Sequence, residues 1–153
     1  MTETDAIREL HITRIFDAPR ELVYQAFMDP DQLAQWFGPV GFSVPRDSVT
    51  VEARVGGRQR LDMVDDANPE NISSIDALFD ELVENELITG HQDVLGIPGQ
   101  SGVTRVAVRF EFHQEAGDRT RLELWQKFPA PLAVGAREGW ESSFTKLDAL
   151  LKR

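Results

Sequence analysis

The chain has 153 residues, enough for one core of ordinary size and too few for two, so 1–153 reads as a single domain with a flexible lead over residues 1–7. Hydrophobic residues at 41% and charged residues at 27% exclude disordered, collagen-like and solenoid chains. A net charge of −10 repels phosphate backbones and anionic membrane faces, and the lack of cysteine removes disulfides, thiolate metal sites and thiol nucleophiles. Neither nucleic acid nor membrane is therefore expected as a partner, and the cytoplasm is the expected compartment.

The acidic start, Met1-Thr2-Glu3-Thr4-Asp5, is unlike a signal or transit peptide, which leaves the sequon Asn71-Ile72-Ser73 without weight. Residues 8–16 alternate, with Leu10, Ile12 and Arg14 on one side and His11, Thr13 and Ile15 on the other, which predicts a strand. Asp17-Ala18-Pro19 then offers a capping carboxylate and a first-turn proline to a short helix carrying Leu22, Val23, Ala26 and Phe27. Asp29-Pro30 stops it, because proline lacks the N–H and turns its predecessor away from helix. Asp31 is placed to cap a second short helix with Leu33 and Trp36, ended by Gly38-Pro39-Val40-Gly41.

Residues 49–55 and 58–64 alternate on either side of Gly56-Gly57, a hairpin signal, and 65–73 reads as a loop. Ile75, Leu78, Phe79 and Leu82 recur at helical spacing, so periodicity alone makes this segment a helix. Residues 103–112 and 120–127 alternate around the turn Glu115-Ala116-Gly117-Asp118 as a second hairpin, with Trp125 at the outward parity. From about 134 to 152, Trp140, Phe144, Leu147 and Leu151 mark a long amphipathic helix.

Strand, two short helices, a meander and a long last helix is the order of a helix-grip fold, and residues match as well as elements. Phe16-Asp17-Ala18-Pro19-Arg20-Glu21-Leu22-Val23 and Asp29-Pro30-Asp31-Gln32-Leu33-Ala34-Gln35-Trp36-Phe37-Gly38-Pro39 closely resemble the opening of START-like SRPBCC domains. The branch resembled is that of the C-terminal domain of the heat-shock-protein-90 ATPase activator. Val55-Gly56-Gly57-Arg58 with Met63, Thr120-Arg121-Leu122-Glu123-Leu124 and Gly139-Trp140 extend the match to nearly the whole chain. The resemblance implies an α+β fold of the birch-pollen-allergen kind, a curved antiparallel sheet wrapped around a long C-terminal helix. It also implies that Ala77, Phe79 and Glu81 alternate on a strand, making 74–83 and 87–94 two strands joined at Glu84-Asn85-Glu86, against the helical periodicity.

In such a fold, side chains facing the helix can leave a cavity. Strand parity turns Gln59, Leu61 and Met63 inward, with Phe79 and Glu81, then Val106, Val108 and Phe110, then Leu122, Leu124 and Gln126. The expected ligand-binding set is Trp36, Phe37, Phe42, Leu61, Met63, Phe79, Glu81, Val108, Phe110, Gln126, Trp140 and Phe144. These residues make either an apolar pocket with a few polar orienting groups or a filled core. An inward Glu81 would be desolvated, serving as ligand contact or acid–base group; the alternatives are that it pairs with an arginine or lies at the wet mouth of the sheet. Gln126 can orient a carbonyl or hydroxyl or satisfy a neighbour.

Of the three histidines, His11 and His113 read as solvated or core residues, and His91 is the one placed to meet Glu81. Zinc motifs, calcium-loop spacing and G-x-S-x-G are absent, so no metal, cofactor or catalytic residue is expected. Gly96-Ile97-Pro98-Gly99-Gln100-Ser101-Gly102 reads as a loop over the pocket mouth, since no lysine or helix follows to hold a phosphate. The expected function is binding of a small apolar molecule, aromatic or lipid-like, by a monomer or homodimer. One alternative is a chaperone-ATPase regulator, although the activator resembled carries a further N-terminal domain for which this chain is too short. The other is a cyclase- or aromatase-like enzyme using Glu81 or a histidine.

Overall fold

The computed structural model describes residues 7–94, 104–129 and 135–152. Strand β1 (Ile7–Phe16) leads into helices α1 (Arg20–Met28) and α2 (Pro30–Trp36). Two short strands follow, β2 (Phe42–Ser43) and β3 (Thr50–Val51), and then the long meander β4 (Arg58–Asp65), β5 (Ile72–Val83), β6 (Leu87–Val94), β7 (Thr104–Glu115) and β8 (Arg119–Pro129). Helix α3 (Ala136–Leu151) closes the order. All pairings are antiparallel, and the sheet runs β1-β8-β7-β6-β5-β4-β2, with β3 also on β4. This is the α+β helix-grip arrangement, in which β1 must cross to β8 before the sheet is complete.

The concave face carries the core. Leu10, Ile12 and Phe16 of β1, Phe110 and Phe112 of β7 and Leu122, Leu124 and Phe128 of β8 are buried against Val23, Ala26 and Phe27 of α1 and Phe144 and Leu147 of α3. Arg14 shares that inward parity and reaches Asp148 of α3, which gives the charge a partner where it leaves water. The Trp36 indole N–H donates to the Ala26 carbonyl at 2.8 Å, and the Thr120 hydroxyl donates to Ala18 O at 2.7 Å. Both bonds satisfy buried polar atoms while pinning α2 to α1 and the turn before α1 to the sheet.

Several local expectations change. Asp17 does not cap α1: the N-cap is Pro19, without a side-chain bond. Asp31 does not cap α2 either. Its own N–H donates to Asp29 Oδ1 at 2.9 Å, because Pro30 takes the first helical position, where it has no N–H to leave unpaired, and the cap falls two residues earlier, at Asp29. The hairpin around Gly56-Gly57 is narrower than 49–55 with 58–64, since only Thr50 and Val51 pair, with Arg60 and Gln59. The segment between leaves the ladder because Gly56 N–H and Gly57 O bond the Phe79 main chain instead. The loop expected at 65–73 shrinks, β4 continuing to Asp65 and β5 starting at Ile72. Residues 72–83 and 87–94 are strands, the first of them against the helical spacing of Ile75, Leu78, Phe79 and Leu82. Ile7 belongs to β1; residues 1–6 and the glycine-rich stretch 96–102 lie outside the described residues.

Candidate functional site

Pairing register builds the inner wall in two rows. Gln59 of β4 stands beside Ala77 of β5, and Gln92 of β6 beside Val106 of β7; the next row holds Phe79, Gly90, Val108 and Gln126. Small residues at Ala77 and Gly90 keep this part of the sheet low. A side chain at Gly90 is excluded, since its Cβ would lie 2.7 Å from the Leu78 carbonyl oxygen. Opposite stand Phe27 of α1, Phe37 after α2 and Trp140 of α3, joined by ring contacts of Phe27 and Trp140 with Phe110 (5.0 and 5.6 Å between centroids) and of Phe37 with Trp140 (5.8 Å).

Between wall and helices lies a cavity of about 90 Å³, with a lobe of about 30 Å³ beside it under Met28, Phe79, Ile88 and Gly90. Its polar lining residues are Gln59, Gln92 and Gln126, with Trp140 and His91. Trp140 Nε1 donates to Gln126 Oε1 at 2.8 Å, while the Gln59 and Gln92 side chains have no hydrogen-bond partner among the described residues.

Of the expected set, Phe37, Val108, Phe110, Gln126 and Trp140 line the cavity and Phe79 lines the lobe. Trp36, Leu61 and Phe144 are completely buried and packed, Phe144 edge-on to Phe16 at 5.6 Å, and do not reach it. Phe42 and Met63 lie away from it, around Gly38, where a Cβ would sit 3.3 Å from the Met63 sulfur. Lys146 Nζ donates to the Phe37 and Phe42 carbonyls at 3.5 and 3.3 Å, and burial lowers its pKa, the nearby Asp66 charge acting against this. Parity already places Gln59 and Val106 inward, but Phe27, Ile75, Ala77 and Gln92 are wall residues that sequence reasoning does not single out. For Gln92 the signal is there, two positions beyond Gly90 and four beyond the buried Ile88.

Glu81 is the principal correction. The ladder shifts between Phe79 and Glu81, so Asp80 is an extra residue and both carboxylates fall on the convex face, where Thr89 Oγ1 donates to Glu81 at 3.3 Å. His91 is there too, its ring 2.9 Å from Asp80 and not from Glu81. The other two histidines share that face, His11 at 2.9 Å from Glu123 and His113 at 2.9 Å from Glu111. His11 also stacks on Trp125 at 4.7 Å, which is outward as expected. A broader, shallower groove of about 450 Å³ runs across this face, but its charges already answer one another, Arg109 with Glu111 at 2.7 Å and Lys127 with Glu9 at 3.7 Å. The cavity between sheet and helices is therefore the better candidate. Among the described residues no three His, Asp or Glu side chains gather to hold a metal, and no helix is long and apolar enough to cross a membrane.

Burial alone would raise the Glu123 carboxyl, but hydrogen bonds from Thr13 and His11 and the charges of His11 and Arg121 outweigh it, leaving its pKa below the ordinary glutamate range. Arg121 Nε lies 2.9 Å from Glu123 Oε2 but out of hydrogen-bond alignment, a charge contact only. A folded-state pKa that is depressed stabilises above the unfolded value and loses that stabilisation as pH falls through the folded one. Because Thr13 and His11 are on β1 and Glu123 on β8, acid should loosen this edge of the sheet. Urea midpoints followed from neutral pH down to about pH 3 should fall less steeply for Glu123→Gln than for the parent; parallel curves would show that Glu123 is not a source of the acid sensitivity.

A family model described as Activator of Hsp90 ATPase homolog 1-like protein matches residues 17–152. Among solved structures, protein CV1439 from Chromobacterium violaceum is 26% identical, with 95% of this chain and 97% of that one covered and a TM-score of 0.80. The AHSA1 (SPO3351) protein from Silicibacter pomeroyi is 23% identical over 95% and 98%, with a TM-score of 0.78. Protein Ms6760 from Mycobacterium smegmatis is 23% identical over 94% and 90%, with a TM-score of 0.74. None of the curated proteins matches. These structural likenesses carry the fold.

Proposed function

The chain belongs to the Activator of Hsp90 ATPase homolog 1-like family, and from that premise we propose that it is a cytoplasmic binding protein holding a small, largely apolar molecule between sheet and helix. The observation that carries this reading is the cavity itself: about 90 Å³ walled by Phe27, Phe37, Val108, Phe110 and Trp140, with polar groups at few points. That is the composition of a ligand site, although its volume is well below the roughly 300–1,000 Å³ of drug-sized pockets, which limits the ligand to a few heavy atoms. An apolar cavity of about 150 Å³ takes benzene, so this one suits a branched alkyl group, or a ring once Trp140 rotates outward. The enzyme alternative loses the residues it rested on, because Glu81 and His91 stand on the opposite face. The chaperone-regulator alternative keeps the support of the family's description.

Xenon and then toluene, titrated against isotope-labelled protein, should shift the Trp140 indole and the Ala77 and Val108 methyl resonances saturably. Ala77→Leu, which fills the space between Gln59 and Gln92, should remove the effect. Absence of shifts, or shifts that survive Ala77→Leu, would overturn the reading. Saturable stimulation of the heat-shock chaperone's ATPase that Ala77→Leu leaves intact would put the regulator reading in its place.

A further inference from the structure

Apart from His91, the polar residues lining the cavity are neutral. Gln59, Gln92 and Gln126 contribute carboxamides, and Trp140 an indole N–H. His91 borders the same space, but the register gives it the parity opposite to Gly90 and Gln92, and its ring lies 2.9 Å from Asp80 on the convex face. The charged groups on the inner side of the sheet are engaged elsewhere, Arg14 with Asp148 and Lys146 with the carbonyls of Phe37 and Phe42. An ion entering here would lose its hydration without gaining a counter-charge, a cost that carboxamides do not recover.

The amide of Gln126 has a fixed sense. An indole N–H can only donate, so the atom 2.8 Å from Trp140 Nε1 is the carboxamide oxygen, and the Gln126 NH₂ is left with both donors. No described residue accepts from it. Gln126 lies next to Val108, which lines the cavity from the neighbouring strand, and thus presents donors beside an apolar wall.

Resting on the ligand-binding reading above, we propose that the cavity selects an uncharged molecule with a carbonyl-type acceptor oxygen, received by the Gln126 N–H groups, and rejects carboxylates and ammonium ions of the same shape. A site built to donate to an acceptor discriminates against an analogue that lacks it, since the donors are then stranded.

Four small compounds that share an isopropyl group test this at neutral pH: isobutyramide, isobutyrate, isobutylammonium and 2,3-dimethylbutane, titrated while following the Trp140 indole resonance. The amide is expected to bind about tenfold or more tightly than either ion and more tightly than the hydrocarbon. Gln126→Leu should erase the amide's advantage over the hydrocarbon. Gln126→Glu, which keeps an acceptor for Trp140 while removing both donors, should do the same and covers the case in which the leucine variant fails to fold. An ion binding as tightly as the amide, or an amide advantage that persists in both variants, would overturn the selectivity. Hydrocarbon binding with no gain for the amide would overturn it too and leave the binding reading standing, whereas no binding by any of the four would sink both.

Discussion

Cutting Phe144 to alanine is expected to cost about 3–5 kcal/mol of folding stability, the full loss of a core phenylalanine. The ring is completely buried, meets Phe16 edge-on at 5.6 Å, and lies 6.3 Å from Trp36 and 5.8 Å from Trp140. Three rigid neighbours cannot collapse into the space it leaves, and a cavity that persists adds its own cost to the lost transfer energy. Trp140→Ala, one turn earlier on α3, should cost less, because its ring is only partly buried and already faces open space, so truncation opens less new cavity. Denaturant titrations of the two variants with unchanged m-values would measure the contrast. Equal losses would mean that Trp140 is packed like Phe144, and the cavity would have no open wall on the helix side.

Gly57→Ala should be the most damaging small substitution, at about 3 kcal/mol. A Cβ there would lie 2.1 Å from the Glu52 carbonyl oxygen and 2.8 Å from that of Arg54, and both are main-chain atoms that no rotamer change can move aside. Relief requires the turn to lift from β5, breaking the bonds of Gly56 N–H to Phe79 O and of Phe79 N–H to Gly57 O, at 2.8 and 2.9 Å. Gly56→Ala is the comparison: nothing lies within 4 Å of its Cβ, and the only penalty is a left-handed backbone at φ +80°, roughly 1–2 kcal/mol. If the two variants unfold at the same denaturant concentration, steric exclusion at Gly57 is not what holds the turn down.

The strand at 72–83 shows where local reading stops. Ile75, Leu78, Phe79 and Leu82 are spaced for a helix, yet Leu78 is 42% exposed and the other three lie on the inner side. The spacing arises because Asp80 is inserted between two stretches of ordinary alternation, so Ile75, Ala77 and Phe79 share one face and Leu82 joins them a residue late. A resemblance to known domains identified the strand, because it carries tertiary information that periodicity lacks. It does not carry the insertion, which turns Glu81 to the face opposite the one that simple alternation predicts. Parity served well elsewhere: Gln126, Val108 and Phe110 are all inward. What parity cannot express is whether inward means packed or lining a space. Trp36 and Trp140 both face inward, and only the neighbours supplied by other elements make the first part of the core and the second part of a wall.

The pairing of β1 with β8 also governs the timing of assembly. His11 meets Glu123 112 residues further on, and Arg14 meets Asp148 134 residues further on, so both surfaces that shelter β1 are made last. At synthesis rates of about 5–20 residues per second, the strand waits roughly 6–22 s for its partner. Throughout that interval Leu10, Ile12 and Phe16 have neither the sheet edge nor α3 to cover them. The β4–β8 meander, built from neighbouring hairpins, can pair as it emerges, whereas closing so long a loop is the entropically demanding step. The nascent chain is thus an open sheet with its first strand loose, and its exposure to misassociation is set by the ribosome's pace over the second half of the sequence.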